Sequence, residues 1–165
     1  MTPRGLDPLG FYVALGGETE GRGSYEISSF FFGYTHCPDV CPVTLSEFKQ
    51  IRQKLGKRAE SVAFLFITVD PKRDTPEALG KHVALFDPAI IGLTGDFYNL
   101  EMVWKAYGVT REEQVVSGPA EYLVDHTART YVVDKRGDLR MTYPFGFDAD
   151  SMAQDVSHLV DEELK

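Results

Sequence analysis

The sequence predicts an α/β domain with a central mixed β-sheet flanked by helices. Short apolar runs typical of strands alternate with amphipathic stretches typical of helices. One run, residues 62–69, is apolar on both faces, as in a central strand that helices cover on each side. Near the end of the chain, two further strand-like runs flank a turn sequence and predict an antiparallel hairpin. Parallel strands from the alternating part and antiparallel strands from the hairpin together make the sheet mixed.

The length of 165 residues suits one domain with a self-sufficient core. Residues 1–26 are rich in glycine and carry only a short apolar stretch, so we interpret them as a lead-in that forms a strand or part of a hairpin. Residues 27–165 contain the stronger strand and helix signals, with no repeat or domain-scale linker. We expect this second part to form the domain that carries the function.

Strand and helix signals alternate up to Gly108. The predicted strands are the aromatic run 30–34, the apolar run 62–69 and the short run 90–93. Each is followed by a helix with an apolar stripe and a start or stop signal. The stripes and signals are Phe48, Ile51 and Leu55 before Gly56; Leu79, Val83 and Phe86 after Thr75 and Pro76; and Leu100, Val103, Trp104 and Tyr107 before Gly108.

The remaining part of the chain predicts a loop, three strands and a helix. A polar loop runs through Gly118 and Pro119, and the strand that follows leads into Asp125 and His126. The hairpin and the last helix are marked by Thr130–Val133 and Leu139–Tyr143 around the turn Asp134–Gly137, then by Met152, Val156, Leu159 and Val160. Four large side chains are expected in the core: Phe31, Phe32, Trp104 and Tyr131.

The two cysteines, Cys37 and Cys41, lie at the first strand-to-helix turn. A bridge over so short a loop restrains little of the unfolded chain, so the pair indicates metal or redox chemistry. We expect the helix to begin at Pro42, directly after Cys41, with Asp39 closing the turn through its side chain. A helix start favours thiolates. A cysteine pair at this turn is typical of the thioredoxin-like fold.

The spacing and number of the cysteines favour copper over zinc. Three residues separate the two sulfurs, which leaves room for an ion between them. Thiolates select Cu(I) or zinc, and an imidazole can complete the set of ligands. Structural zinc takes four ligands, commonly from two such cysteine pairs, and the sequence has one pair. Two thiolates and one imidazole instead form a three-coordinate site suited to copper.

Four histidines are candidates for the imidazole. His82 and His158 lie on predicted helices, where a solvated or core-edge position is expected. His36 adjoins the first cysteine, so its side chain is expected to point away from the pair. His126 lies where thioredoxin-like folds bring a loop against the cysteine turn, and it is the expected third donor. Asp125 is either a group that orients His126 and tunes the metal or a solvated loop acid.

Charge and hydropathy exclude several classes of partner. The formal net charge of −8, with acids spread along the chain, argues against nucleic acid and against a polybasic grip on a membrane surface. A partner with a basic face is compatible with it. Apolar runs stay well short of the ~20 residues that span a bilayer. From composition alone, the chain is therefore either cytoplasmic or a part separated from its membrane anchor. Residues 70–76 are interpreted as a helix entry with an internal salt bridge, with a partner-docking loop as the alternative.

Four ordered blocks resemble the Sco/SenC copper proteins. The first is Phe32–Pro42, with the sequence FGYTHCPDVCP, and the others are Val69–Pro76, Leu93–Gly95 and Tyr122–Thr127. The resemblance extends over residues 30–163. It departs from the family at its start, where the chain runs almost directly into Phe30 without the usual hairpin and basic Gly-Lys step.

The resemblance implies a thioredoxin-like fold and copper held by Cys37, Cys41 and His126, as Cu(I) with Cu(II) as the alternative. Family members assist assembly of the dinuclear copper centre in subunit II of cytochrome c oxidase. They do so by delivering copper, by reducing the cysteines of that subunit, or both. The expected partners are subunit II and either another copper chaperone or a thiol reductant.

Two functions therefore remain open. The first is a metallochaperone, and the second is a thiol-disulfide oxidoreductase in which Cys37 attacks and Cys41 resolves the mixed disulfide. The second does not need His126, so that residue discriminates between them. The resemblance also implies a periplasmic position on the outer face of the bacterial inner membrane, with the mitochondrial intermembrane space as the alternative. Membrane attachment is expected only through an anchor outside this sequence.

Overall fold

The computed structural model describes residues 25–165, so most of the predicted lead-in over 1–26 lies outside the described residues. The described part confirms an α/β fold with a central mixed sheet. The strands are Ile27–Gly33 (β1), Val62–Thr68 (β2), Ile91–Leu93 (β3), Arg111–Val115 (β4), Tyr122–His126 (β5), Arg129–Asp134 (β6) and Leu139–Pro144 (β7). The helices are Val40–Leu55 (α1), Pro76–Ala84 (α2), Phe97–Ala106 (α3) and Ala149–Glu163 (α4), with a short 3-10 helix at Gly56–Ser61.

The main sheet has five strands in the order β3-β2-β1-β6-β7. β1, β2 and β3 are parallel, while β6 is antiparallel to β1 and β7 is antiparallel to β6. β4 and β5 form a separate antiparallel pair. The parallel part comes from the strand-helix alternation and the antiparallel part from the predicted hairpin, whose turn uses Gly137 at a φ of 82°.

Helices cover both faces of the main sheet, which explains why β2 is buried along its whole length. On one face, Phe48 of α1 packs against Phe64 of β2. On the other face, Phe30 contacts Tyr107, directly after α3, and stacks on Tyr131 of β6. β1 therefore lies at the centre of the core, and its carboxyl end leads straight into the cysteine loop.

The composition of the segment between α3 and β5 predicted a polar loop, but the structure also contains a strand there. Arg111–Val115 forms β4 and pairs with β5. The sequence pattern does not predict this strand, because REEQV has no alternation of apolar and polar residues. Its residues are half-buried or exposed. Its pairing comes from backbone hydrogen bonds, which do not depend on apolar side chains.

Helix α1 begins at Val40, two residues earlier than predicted. Cys41 is therefore in the first helical turn, and Pro42 follows it. Proline is accommodated there because the first-turn N–H groups have no partner within the helix. The cap residue Asp39 makes no side-chain capping hydrogen bond, so the prediction that its side chain closes the turn is wrong.

The entry to α2 follows the prediction. Asp70 and Arg73 form an ion pair with Oδ2 and Nε 2.5 Å apart, which is the expected internal salt bridge. Thr75 accepts a hydrogen bond from the amide of Ala78, and Pro76 is the first helical residue. Among residues 25–165, we find no helix with the length and apolar character needed to cross a membrane.

Candidate metal centre

Three side chains from separate elements meet at the carboxyl end of β1. Cys37 lies in the loop after β1, Cys41 in the first turn of α1 and His126 at the end of β5. Their sulfur and nitrogen atoms all lie within 4.8 Å of one another. Cys41 Sγ is 3.7 Å from His126 Nε2, although the two residues are 85 positions apart. Both cysteines are free thiols, with 9% of Cys37 and 0% of Cys41 exposed. The fold thus brings together the three residues that the sequence singled out.

Gly33 allows α1 to approach β1 closely at this point. A Cβ at this position would lie 2.8 Å from Cys41 Sγ and 2.7 Å from the ring of Phe66. A Cβ atom essentially never lies this close to a non-bonded heavy atom in a protein, so only glycine fits here without moving the sulfur. The neighbouring backbone is also fixed, because the carbonyl of Gly33 accepts a hydrogen bond from the amide of Val69 at 2.8 Å.

A buried carboxyl group holds the start of the cysteine loop. Asp74 is fully buried and accepts hydrogen bonds from the amide of Thr35 at 3.2 Å, from its hydroxyl at 2.5 Å and from the hydroxyl of Thr68 at 2.7 Å. Burial outweighs these bonds and raises the pKa of Asp74. Sequence reasoning missed this residue, because no local pattern pairs it with a threonine 39 positions away.

His126 is oriented by a backbone carbonyl. Its Nδ1 lies 3.1 Å from the carbonyl oxygen of Thr127, which can only accept, so Nδ1 carries a proton and Nε2 faces the sulfurs. The rings of Phe31 and Tyr34 pack edge-on against the imidazole, with centroids 5.9 and 5.8 Å away. Asp125 is exposed, and successive strand side chains point to opposite faces. The structure therefore gives the orienting role to Thr127 rather than to Asp125.

The two thiols have opposite acidities. The Cys41 thiol, followed by the neighbouring His126 ring and the backbone amides of Asp39 and Cys41, stabilises the Cys37 thiolate against burial and lowers the pKa of Cys37 to about 4. Burial is the main cause that raises the pKa of Cys41, and the charge of Cys37 adds to it. In the metal-free protein at neutral pH, Cys37 is a thiolate and Cys41 is the thiol that donates to it.

We expect the alkylation rate of Cys37 by iodoacetamide to stay constant around neutral pH and to fall only as the pH approaches about 4. Cys41→Ala removes the main hydrogen-bond donor, so its alkylation midpoint should move up toward the ordinary thiol value of about 8.5. The lowered pKa also adds folding stability above the unfolded thiol pKa, which is lost as the pH falls through the folded value. Mass spectrometry across a pH series gives the midpoints. Equal midpoints in the two proteins would show that Cys41 does not hold the thiolate.

The other histidines lie apart from this centre. His36 is exposed and its Nδ1 is 3.0 Å from the hydroxyl of Thr35. His82 sits at the core edge between Phe66 and Phe86, where burial lowers its pKa. His158 is exposed on α4. The exposed position of His158 and the core-edge position of His82 are those expected from the sequence.

A second cluster of possible ligands is already occupied by protein contacts. His36, Asp70 and Asp74 also have ligand atoms within 4.8 Å of one another. However, the carboxylate of Asp70 is bound by Arg73 and by the hydroxyl of Tyr122, and that of Asp74 is bound by two threonines. A cation there would have to displace an arginine, so the cluster is a structural network.

The donor set at the cysteines fits a soft metal ion. With the bond lengths of zinc sites, about 2.3 Å to sulfur and about 2.0 Å to nitrogen, an ion that held the two donors near 120° apart would separate them by roughly 3.7 Å. The distance from Cys41 Sγ to His126 Nε2 is 3.7 Å. Cys37 supplies a thiolate. The Cys41 thiol loses its proton when the metal binds, and His126 binds through Nε2, which must be unprotonated. The residues present therefore suit a soft, low-coordinate ion.

Comparisons with known proteins agree with this geometry. Residues 18–161 match the family model described as SCO1/SenC. A SCO2-like protein of Rickettsia prowazekii is 34% identical over 138 residues, which cover 83% of this chain and 65% of the relative. Copper-bound ScoI of Arabidopsis thaliana superposes with a TM-score of 0.76 at 30% identity, covering 83% of this chain and 85% of that one. Copper-bound ScoI of Bradyrhizobium japonicum gives 0.74 at 36% identity, covering 81% and 85%.

The chain is shorter than the curated relatives that it matches. It spans 65% of the Rickettsia prowazekii protein and 55% of SCO2-like proteins from other Rickettsia species. The family match nevertheless covers most of the chain, including all three side chains of the centre, and the two ScoI structures share its thioredoxin-like fold. This protein belongs to the SCO1/SenC family.

Proposed function

We propose that the protein binds one copper ion, as Cu(I), through Cys37, Cys41 and His126. The observation that carries the proposal is the convergence of two sulfurs and one imidazole nitrogen within 4.8 Å. Two of these side chains are almost fully buried, and the third is held by Thr127. Such a site is organised before the ion arrives, which reduces the cost of ordering its ligands.

Copper is favoured over zinc by the number of donors. Structural zinc takes four ligands, and within residues 25–165 no fourth cysteine, histidine or carboxylate joins the group. Two soft thiolates and an imidazole suit Cu(I), which accepts low coordination numbers. Cu(II) is the alternative oxidation state at the same residues. Family members with copper bound support this choice.

We further propose that the copper is cargo for assembly of cytochrome c oxidase, with the dinuclear copper centre of subunit II as its destination. Membership of the SCO1/SenC family supports this role. Cys37 keeps 9% of its surface exposed and Cys41 none, so a partner thiolate would approach the three-coordinate ion from the side of Cys37 and bind it before the ion leaves its own ligands. The site is thus suited to passing a metal on. Either another copper chaperone or a thiol reductant would prepare it for each cycle.

The acidity of the thiols favours a second candidate function, reduction of a partner disulfide. The Cys37 thiolate would attack one sulfur of that disulfide, form a mixed disulfide and release the other sulfur as a thiolate. Cys41 would then lose its proton, attack Cys37 and release the partner's second thiol. The partner gains two electrons, and this chain is left with a Cys37–Cys41 disulfide that a thiol reductant must reduce. The lowered pKa of Cys37 supports its role as the attacking residue.

We propose that the protein acts on the outer face of the bacterial inner membrane, facing the periplasm, with the mitochondrial intermembrane space as the alternative. Relatives from both bacteria and mitochondria support the pair of locations.

Metal analysis of the reduced protein under copper and zinc competition tests the copper site. Wild type should retain one equivalent of Cu(I), and His126→Ala should bind it at least about 100-fold more weakly, since even groups that only support a ligand contribute 10- to 100-fold. His158→Ala, which changes an exposed histidine on α4, serves as the matched control and should bind as wild type does. Full affinity and an unchanged copper spectrum in His126→Ala would overturn the three-ligand site. The imidazole is not a reacting group in thiol exchange, so loss of copper binding with retained thiol exchange in His126→Ala would separate the two functions.

A further inference from the structure

The imidazole and the two thiols belong to different parts of the fold. The cysteines follow β1 of the main sheet, whereas His126 ends β5 of the separate pair β4–β5. Within the part of the chain that the structure describes, the two sheets share no strand pairing. The distance from Nε2 to the sulfurs therefore depends on how side chains hold the β4–β5 pair against the main sheet.

Three side chains make one such attachment through several contacts at once, and we call them the Asp70–Arg73–Tyr122 clasp. Arg73 Nη1 donates to the carbonyl of Ala120 at 2.9 Å and to that of Tyr122 at 3.2 Å, while its Nε binds Asp70 at 2.5 Å. The guanidinium also lies over the ring of Tyr122, 3.7 Å from the ring centre. The Tyr122 hydroxyl closes the ring of contacts by donating to Asp70 at 2.7 Å.

The clasp is largely buried and depends on the shape of an arginine. Asp70 is 0% exposed and the side chain of Arg73 is 17% exposed. A planar guanidinium can bind a carboxylate, reach two carbonyls and stack on an aromatic ring at the same time, which a lysine ammonium cannot. Arg73 Nη2 is buried without a hydrogen-bond partner among residues 25–165. Such a donor is costly, so the other contacts of the arginine must outweigh this cost.

The clasp also acts at the right place on β5. Tyr122 begins this strand and His126 ends it, so a fixed Tyr122 sets the register of the whole strand. Farther along, the amide of Val124 donates to the hydroxyl of Tyr34 at 3.1 Å. Tyr34 in turn packs against the imidazole. A strand held at its start and its middle carries His126 to one position.

We propose that the Asp70–Arg73–Tyr122 clasp sets the position of His126 relative to the two thiols, so that Arg73 and Tyr122 are positioning residues for the third copper ligand. This inference rests on the proposed copper site. It makes the segment at residues 70–76 more than the entry to a helix, because that segment fixes the sheet that carries the histidine.

A double-mutant cycle tests the proposal. Arg73→Lys keeps the positive charge but loses the planar guanidinium, which binds two carbonyls and stacks on Tyr122. It should lower Cu(I) affinity about 10-fold, as expected for a group that supports a ligand. In a His126→Ala background the same change should have no further effect, because its target is gone. Tyr122→Phe, which removes one hydrogen bond, should show the same pattern more weakly. Arg52→Lys is the matched control, since Arg52 binds the buried Asp87 by a separate ion pair.

Amide hydrogen exchange of the metal-free protein supplies an independent readout. Arg73→Lys should speed exchange in β4 and β5 and leave β1 and β2 unchanged. Equal losses of copper affinity in both backgrounds, or unchanged exchange in β4 and β5, would overturn the clasp. If His126→Ala itself kept full affinity, the three-ligand site would fail, and with it the role of the clasp toward the metal. Faster exchange limited to β4 and β5 would then still show that the clasp holds the strand, which separates the two failures.

Discussion

Cys41→Ser and Cys37→Ser are each expected to abolish Cu(I) binding by the reduced protein. A hydroxyl is a hard, weakly acidic donor, so each change removes one of two soft ligands and leaves too few for a three-coordinate site. Cys41 is also completely buried, and a replacement donor has no room to enter beside it. Competition with a colorimetric Cu(I) chelator measures the loss directly.

His36→Ala is the matched control for these two variants. His36 is adjacent to Cys37 in sequence, yet it is exposed and bound to the hydroxyl of Thr35. We expect this variant to bind copper as wild type does. Retention of one tightly bound equivalent by either serine variant would mean that the metal uses other ligands. Copper loss in His36→Ala would mean that the loop, rather than the sulfurs, decides binding.

Asp74→Ala is expected to cause the largest loss of stability, about 3 kcal/mol in the free energy of unfolding. The carboxyl group accepts three hydrogen bonds, from the amide and hydroxyl of Thr35 and from the hydroxyl of Thr68, and each contributes about 1 kcal/mol. Because Thr35 lies two residues before Cys37, the loop should loosen as well. Urea unfolding of the reduced, metal-free protein measures the change.

Asp161→Ala is the control for this prediction. Asp161 is an exposed carboxylate paired with Arg58, and its loss should leave the stability close to that of wild type. If Asp74→Ala unfolded at the same urea concentration as Asp161→Ala, the buried network would not hold the cysteine loop as described.

Most of the fold could be predicted because its core strands have clear apolar patterns in the sequence. The run 62–69 is apolar on both faces and forms the interior strand β2, which is buried along its whole length, and Gly137 marks the turn of the hairpin β6–β7. Strand β4 could not be found in the same way, since its charged residues form a strand only through backbone pairing with β5. The start of α1 was misplaced because Pro42 is as acceptable in the third helical position as in the first.

The candidate site was predictable in its ligand types but less so in its supports. Two cysteines at a strand-to-helix turn and one suitably placed histidine are visible in the sequence. The groups that orient them act over long separations or through the backbone, as in the carbonyl of Thr127 or the 52 positions between Tyr122 and Asp70. Asp125 was a reasonable candidate by adjacency, but strand geometry turns it away from His126.

The two proposed functions use one pair of thiols and exclude each other at any moment. A Cys37–Cys41 disulfide removes two of the three copper ligands, so oxidation releases bound copper or prevents copper from binding. The opposite acidities of the two thiols serve exchange in the metal-free state. When copper binds, both sulfurs become ligands and the difference between them disappears.

X-ray absorption spectroscopy of the Cu(I)-loaded, reduced protein tests the central claim most directly. It reports the number and type of atoms bound to copper. We expect two sulfur neighbours and one imidazole nitrogen in wild type, with the imidazole signal lost in His126→Ala. A spectrum with two sulfurs alone in wild type, or one that keeps its imidazole signal in His126→Ala, would contradict a site built from Cys37, Cys41 and His126.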